Sequence, residues 1–306
     1  MNHFIKLSDF TREELAKTLL LARKLKLERQ NNMPHPLLAG KKLGMIFEKS
    51  STRTRLSFEV GMYELGGTGI FLSHRDLQIG RGEPIADTAR VMSRYLDAVM
   101  IRANSHQTIL DFAEHGSIPV INGLCDLYHP CQIMADLMTI EEYFPRFDGV
   151  KKVCYIGDGN NVANSLIVGC VKMGLPITIV CPKGYEPNAD IAQWAATNGD
   201  YTCTNDVFAG AAGAQVVYTD VWTSMGQEEE SARRLADFAG FQVNADVMAK
   251  AHKKAIVLHC LPAHREEEIT TEVFEKHAKP IFDQAENRLH AQKAVLVMLL
   301  AEDKLN

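Results

Sequence analysis

Four hydroxyls and two arginines fall within six positions at Ser50-Ser51-Thr52-Arg53-Thr54-Arg55. These residue types supply N–H and O–H donors beside fixed positive charge, which suits a phosphate or another tetrahedral oxyanion. The plainer reading is a helix cap followed by surface arginines, but two arginines alternating with threonine at a cap are unusual. Further on, His129-Pro130-Cys131-Gln132 sets an imidazole and an amide three residues apart, and both can donate to one carbonyl oxygen. Arg102 adds another cation, with a surface salt bridge as its plain alternative. Two later stretches carry a carboxylate, a thiol and two imidazoles: Asp220-Val221-Trp222-Thr223-Ser224-Met225-Gly226-Gln227 and His259-Cys260-Leu261-Pro262-Ala263-His264-Arg265. Two histidines with a cysteine suggest zinc, but Pro262 between them argues against one helix face presenting both, so no metal is expected. Cys260 is then read as a small buried residue.

Each group falls where a strand gives way to a loop or a helix. The apolar run 43–47 reads as a buried strand, and 56–65 as a helix stopped by Gly66-Gly67. The hydroxyls and arginines therefore meet unpaired backbone N–H groups and the positive end of a helix dipole. Residues 98–101 form a strand that ends at Arg102, and 120–123 a strand that leads to His129 and a helix over 133–143. Pro130 suits the first helical position. Residues 11–14 open an N-terminal helix with Leu15, Leu19, Ala22 and Leu25 on one face, 70–72 is a strand, and 87–95 is helical. The stretch 73–83 lacks periodicity and reads as a mobile or shared loop carrying Gln78.

A boundary near 145–152 opens a second alternation: strand 152–156, helix 164–173, strand 177–181, helix 189–198, then strands 214–219 and 255–258. An apolar helix over 285–300 carries Arg288 near its start. The expectation is α/β architecture with two doubly wound parallel-sheet domains, 1–144 and 145–284, and a C-terminal helix, 285–306, returning to the first. Gly157-Asp158-Gly159 resembles half of a dinucleotide fingerprint. The next strand, however, ends in Val180-Cys181-Pro182 with no acid for a ribose, which argues against an NAD-dependent oxidoreductase. Asn161 is expected to face the cleft.

A chain of 306 residues is long for one core, so two domains are the natural prior. Hydrophobic residues at 46%, charged residues at 23% and a net charge of −5 describe an ordinary globular chain with no nucleic-acid signature. No apolar run reaches membrane-span length, and 1–9 has no apolar signal core, so neither a membrane nor export is expected. The 7 cysteines are odd in number and scattered without a Cys-x-x-Cys pair, which fits reduced thiols in a cytoplasm.

Together, Ser51-Thr52-Arg53-Thr54-Arg55, Arg102, His129-Pro130-Cys131-Gln132 and the long return helix resemble the aspartate/ornithine carbamoyltransferases. The stretches 220–226 and 259–262 are similar to the ornithine branch, and the match runs in order through nearly the whole chain. One departure is Glu266, where the family usually has Gly after His-Cys-Leu-Pro-Ala-His-Arg, in a loop that closes over the amino-acid substrate.

The resemblance implies a carbamoyl phosphate domain and an ornithine domain, no cofactor, and a homotrimer or higher assembly of trimers with active sites at subunit interfaces. It implies that Ser51, Thr52, Arg53, Thr54 and Arg102 hold the phosphate, while His129, Gln132 and Arg288 orient the carbamoyl group. Gln78 falls on a loop that helps bind carbamoyl phosphate. Asn161, Asp220, Ser224 and Met225 would hold the amino-acid end of L-ornithine, with Cys260 and Leu261 beside the reacting amine. The catalytic set would be Arg102, His129, Asp220 and Cys260, and the products citrulline and phosphate. The alternatives are carbamoyl transfer to another amine such as putrescine, and a non-catalytic binding module. Asp220 with Ser224-Met225 favours an α-amino acid, because a diamine offers no carboxylate there.

Overall fold

The computed structural model describes residues 2–223 and 228–305. The chain divides into two compact units, Met1–Met138 with Asn287–Asn306, and Thr139–Glu286.

In the first unit, Thr11 and Glu14 form a reciprocal capping box that starts α1 (Arg12–Gln30), whose buried face includes Leu15, Leu19, Ala22 and Leu25. Then follow β1 (Lys42–Phe47), α2 (Thr52–Glu64), β2 (Thr68–Ser73), α3 (Ile85–Met92), β3 (Ala98–Arg102), α4 (His106–His115), β4 (Val120–Leu124) and α5 (Pro130–Tyr143). The strands are all parallel, in the order β2-β1-β3-β4. β3 is buried along its whole length and β1 beyond Lys42, as parallel strands covered on both faces must be. The chain leaves β1 in one direction to reach β2 and in the other to reach β3. The carboxyl ends of β1 and β3 therefore flank the point where such sheets open a crevice for ligands.

The second unit holds β5 (Val153–Ile156), α6 (Asn161–Met173), β6 (Ile177–Val180), α7 (Ala189–Asn198), β7 (Tyr201–Thr204), α8 (Val207–Ala211), β8 (Val216–Thr219), α9 (Ser231–Asp237), α10 (Ala245–Lys250), β9 (Ile256–His259), α11 (Thr271–Lys276) and the start of α12 (Ala278–Leu300). Its parallel order is β7-β6-β5-β8-β9, so the switch point lies between β5 and β8. Cys154, Ile156, Val180, Val217, Val257 and Phe274 are among the buried residues of its core. The chain passes from one unit to the other within α5 and again within α12.

Several elements differ from the sequence reading. α2 starts at Thr52, not at 56, because Ser51 caps it. α12 starts at Ala278, not at 285, since Pro280 falls in the first turn where no intrahelical N–H is needed. The sequence pattern does not mark α4, β7 or the short helices α8, α9, α10 and α11, and 73–83 contains two 3-10 turns, His74–Asp76 and Gln78–Arg81.

Candidate active site

In the first unit, Ser51 is the N-cap of α2: its Oγ accepts from the Thr54 N–H at 3.2 Å and donates to Thr54 Oγ1 at 3.0 Å. Thr52, Arg53, Thr54 and Arg55 thus form the first turn, where N–H groups and the helix dipole favour an anion. Helical geometry divides the two arginines. Two residues span about 200° around an α-helix, so Arg53 and Arg55 face apart. Arg55 donates Nε to Glu59 at 3.0 Å and lies 3.9 Å over the Phe71 ring. Arg55 is thus engaged with Glu59 and Phe71 on a side of α2 other than that of Arg53.

β1 and β3 pair in register up to Phe47 and Arg102, and the Glu48 N–H donates to the Arg102 carbonyl at 2.9 Å. The buried Arg102 therefore ends beside the strand that leads to the cradle. His129 precedes α5, where its carbonyl accepts from the Gln132 N–H at 3.1 Å. Its imidazole is held well below the usual histidine range by burial, with Arg288, Arg102 and Arg53 adding repulsion. A neutral imidazole amid three guanidiniums is a carbonyl donor, with no positive charge of its own.

Gln132 and Arg288 are both buried. Arg288 donates Nη1 to Gln132 Oε1 at 2.7 Å and Nη2 to Thr54 Oγ1 at 3.3 Å, while Gln132 Nε2 donates to Asp136 at 2.8 Å. With its amide oxygen turned toward Arg288, Gln292 accepts from Nη2 and Nε at 2.9 and 3.1 Å. Asp136 and Gln292 carried no recognisable motif in the sequence. Gln78 lies exposed in its 3-10 turn and makes no side-chain hydrogen bond to this network.

In the second unit, Asp220 follows β8 and Cys260 follows β9. The Cys260 thiol donates to Asp220 Oδ1 at 2.9 Å, and that oxygen also accepts from the Val221 N–H at 2.8 Å. Oδ2 accepts from Asn160 Nδ2 at 2.9 Å. Asn160 also caps α6, accepting from the N–H groups of Val162 and Ala163 at 2.9 and 3.1 Å. Asn161, the residue expected at the cleft, opens α6, and the cap is its neighbour Asn160, a role that an Asn before an apolar run signals. The buried Arg234, also unforeseen, donates Nε to the Trp222 carbonyl at 2.9 Å and pairs with Asp158. It joins the loop after β8 to the loop after β5. Ser224 and Met225 lie outside the described residues.

The loop after β9 is held from inside. His259 Nδ1 accepts from the Leu261 N–H at 2.9 Å, and Nε2 contacts the buried Glu268 at 2.9 Å. Glu268 also accepts from the His264 N–H at 2.7 Å. Ligand atoms of Asp220, His259 and Cys260 lie within 4.8 Å of one another, as do those of His264, Glu267 and Glu268. In both groups central atoms are committed to hydrogen bonds of the loop, so neither is assigned a metal. Leu261 precedes a cis peptide bond to Pro262. Glu266 has a φ of 70°, a conformation glycine adopts readily, and its carboxylate accepts from the Thr271 N–H at 2.8 Å. The Glu266 side chain thereby fastens the loop to the start of α11.

The comparisons agree with these two halves. Residues 2–142 match the family model described as the carbamoyl-P binding domain of aspartate/ornithine carbamoyltransferase, and residues 149–299 match the Asp/Orn binding domain. An ornithine carbamoyltransferase of Methanospirillum hungatei is 56% identical over 299 residues, 97% of this chain and 99% of that protein. The crystal structure of the anabolic ornithine carbamoyltransferase of Campylobacter jejuni has a TM-score of 0.93 at 44% identity and full coverage of both chains. The ornithine carbamoyltransferase of Pyrococcus furiosus has the same TM-score, 0.93, at 47% identity, covering 98% of this chain and 97% of that one. Matches that span both units in order, on a chain with these strand-end donors, leave one assignment: the chain belongs to the aspartate/ornithine carbamoyltransferase family.

Proposed function

We propose that this chain transfers the carbamoyl group of carbamoyl phosphate to the δ-amine of L-ornithine, giving citrulline and phosphate. The observation that carries the reading is the neutral, buried His129 amid Arg53, Arg102 and Arg288. A carbamoyl phosphate presents a dianionic end and a neutral carbonyl, and this set has a donor for each.

Ser51, Thr52, Arg53, Thr54 and Arg102 take the phosphate oxygens, and His129, Gln132 and Arg288 the carbamoyl end. Gln78 joins them when carbamoyl phosphate is bound. Asp220, Asn161, Ser224 and Met225 take the amino-acid end of ornithine, and Cys260 and Leu261 lie beside the reacting amine. On this reading, residues 1–144 with 285–306 serve carbamoyl phosphate and residues 145–284 serve ornithine. The δ-amine is an ammonium at neutral pH and must lose its proton before attack, which desolvation and neighbouring guanidiniums favour. Its lone pair then adds to the carbamoyl carbon. The developing oxyanion accepts from His129, whose neutral ring donates without first losing a charge. The C–O bond to phosphate breaks, the leaving charge is met by arginines and the α2 terminus, and the phosphate accepts the amine proton. The Cys260 thiol, which donates to Asp220, fits proton positioning rather than covalent attack.

Citrulline formation from carbamoyl phosphate and ornithine tests the reading, with putrescine and aspartate as control amines. Turnover with ornithine alone is expected, and equal turnover of putrescine would overturn the amino-acid assignment.

The assembly proposed is a homotrimer or a group of trimers. Supporting it are exposed apolar side chains of the first unit: Leu56, Val60 and Tyr63 on α2, Ile70 and Phe71 on the edge strand β2, and Tyr95, with Tyr63 at 81% and Tyr95 at 72% exposure. Light scattering should give at least three times the 34.1 kDa chain mass; a monomer would overturn it. A cytoplasmic location is proposed from the thiols, no two of which form a disulfide. Among the described residues no helix is long and apolar enough to cross a membrane.

A further inference from the structure

Two thiols outside the proposed site are in contact. Cys181 Sγ and Cys203 Sγ lie 3.8 Å apart. The register of β6 and β7 pairs Ile179 with Cys203, and side chains two residues apart on a strand share a face. Cys181 and Cys203 therefore project from one face as diagonal neighbours. β7 is the outer strand of its sheet, which leaves Cys203 exposed while Cys181 is buried. Cys125, Cys131, Cys154 and Cys170 are all buried.

The two sulfurs are unequal. Cys203 is brought down to about 7, chiefly by the hydrogen bond from Cys181 and further by one from Tyr201, against partial burial and the negative Glu186. Cys181 is pushed up by that same hydrogen bond, by burial, and by the charges of Cys203, Glu186 and Asp158. An accessible sulfur with thiolate character, touching a protonated and sheltered thiol, has the makings of an attacking and a resolving cysteine.

We propose that Cys203 and Cys181 form a thiol–disulfide exchange site for small-molecule disulfides. The Cys203 thiolate attacks one sulfur of the disulfide RSSR; a Cys203–SR bond forms, the S–S bond breaks and RS⁻ leaves. RS⁻ takes the Cys181 proton. The Cys181 thiolate then attacks the Cys203 sulfur and expels a second RS⁻, which takes the proton Cys203 released on ionising. The protein dithiol is oxidised by two electrons and RSSR is reduced to two thiols. Closing to the S–S distance of about 2 Å requires movement of the outer strand, which has a hydrogen-bonded neighbour on one side only.

The test treats the whole native enzyme with oxidised glutathione near neutral pH, blocks remaining thiols with iodoacetamide, and maps the peptides by mass spectrometry. A Cys181–Cys203 disulfide reversed by dithiothreitol is expected. Cys181→Ala should stop at a stable glutathione adduct on Cys203, and Cys203→Ser should give neither product at this site. A persistent adduct on Cys203 of the unsubstituted enzyme, or an unmodified pair after Cys260 has reacted, would overturn the proposal. Alkylation of Cys203 against pH gives a second reading. Its midpoint, depressed by the neighbouring Cys181, should rise toward the ordinary thiol value of about 8.5 in Cys181→Ala, and an unmoved midpoint would also overturn the pairing. Citrulline formation by both variants shows that they are folded.

Discussion

Arg288 Nη1 donates to Gln132 Oε1 at 2.7 Å, across 156 positions of sequence. The bond joins α12 to α5 within one unit, and the same guanidinium reaches Thr54 in the first turn of α2. Three elements that bear proposed substrate ligands are thus set by one buried cation. Removing it leaves the buried Gln132 amide oxygen without that donor, which costs about 1–3 kcal/mol, while Thr54 Oγ1 keeps the Ser51 hydroxyl. A double-mutant cycle with Arg288→Met and Gln132→Leu, followed by urea denaturation at fixed protein concentration, should yield a coupling of about 1–3 kcal/mol. Additive effects would show that the bond contributes nothing of its own.

The two arginines of the opening motif should behave differently. Arg53→Ala removes a cation near His129 and should raise KM for carbamoyl phosphate by about 10- to 100-fold, the worth of one or two charge-assisted hydrogen bonds. Arg55→Ala breaks an exposed pair with Glu59 and should leave that KM within about 2-fold. Steady-state kinetics on both variants decides the matter, and equal losses would return Arg55 to the phosphate site.

This contrast shows what the sequence reveals and what it hides. Strand ends were legible because 43–47 and 98–101 are apolar runs that stop at Glu48 and Arg102, and the donors follow directly. α2 was harder. Its buried positions are Thr54, Ser57, Phe58, Gly61 and Met62, spaced as a helix requires, but three of the five are not hydrophobic. At Gly61 the packing partner accounts for the choice, since a Cβ there would crowd the Lys293 side chain of α12 at 3.2 Å, and Thr54 meets Arg288 of the same helix. β7 was hidden because Tyr201-Thr202-Cys203-Thr204 is an outer strand with little to bury. Asn160, Arg234 and Glu268 act by orienting other residues; Asn160 and Arg234 do so through partners far along the chain, and Glu268 through the fold of its own loop back onto His264 and His259.

Asn160 offers a test of such orientation. It caps α6 and holds Asp220, so Asn160→Ala should cost about 1 kcal/mol of stability through the lost cap. It should also raise KM for ornithine by about 10-fold, the effect of one lost hydrogen bond to a charged group, with KM for carbamoyl phosphate nearly unchanged. Asp220→Asn should show the same split more strongly. A variant that weakens both substrates alike would place Asn160 among residues that merely support the fold.

His290 gives the enzyme a defined acid sensitivity. Its imidazole is buried on α12 and brought down to about 3, first by burial and then by Lys293, Lys26, Arg29 and His35. In the unfolded chain the same group takes a proton near 6.5. Between these two values the unfolded state binds more protons, so stability falls as the pH is lowered. The contribution is fully present above 6.5 and is lost progressively toward 3. One proton of difference corresponds to a slope of about 1.4 kcal/mol per pH unit. His129 and His35 are shifted in the same direction, so the whole protein should show a steeper fall than His290 alone produces. His290→Gln keeps an amide that can hydrogen-bond but takes no proton. Urea denaturation from pH 7 downward should then give a profile shallower by about one proton's slope, so that the variant's stability rises relative to the parent's as the pH falls. Parallel curves across that range would mean that His290 binds its proton equally well in the folded enzyme, and that burial with the neighbouring Lys293, Lys26 and Arg29 does not hold it neutral.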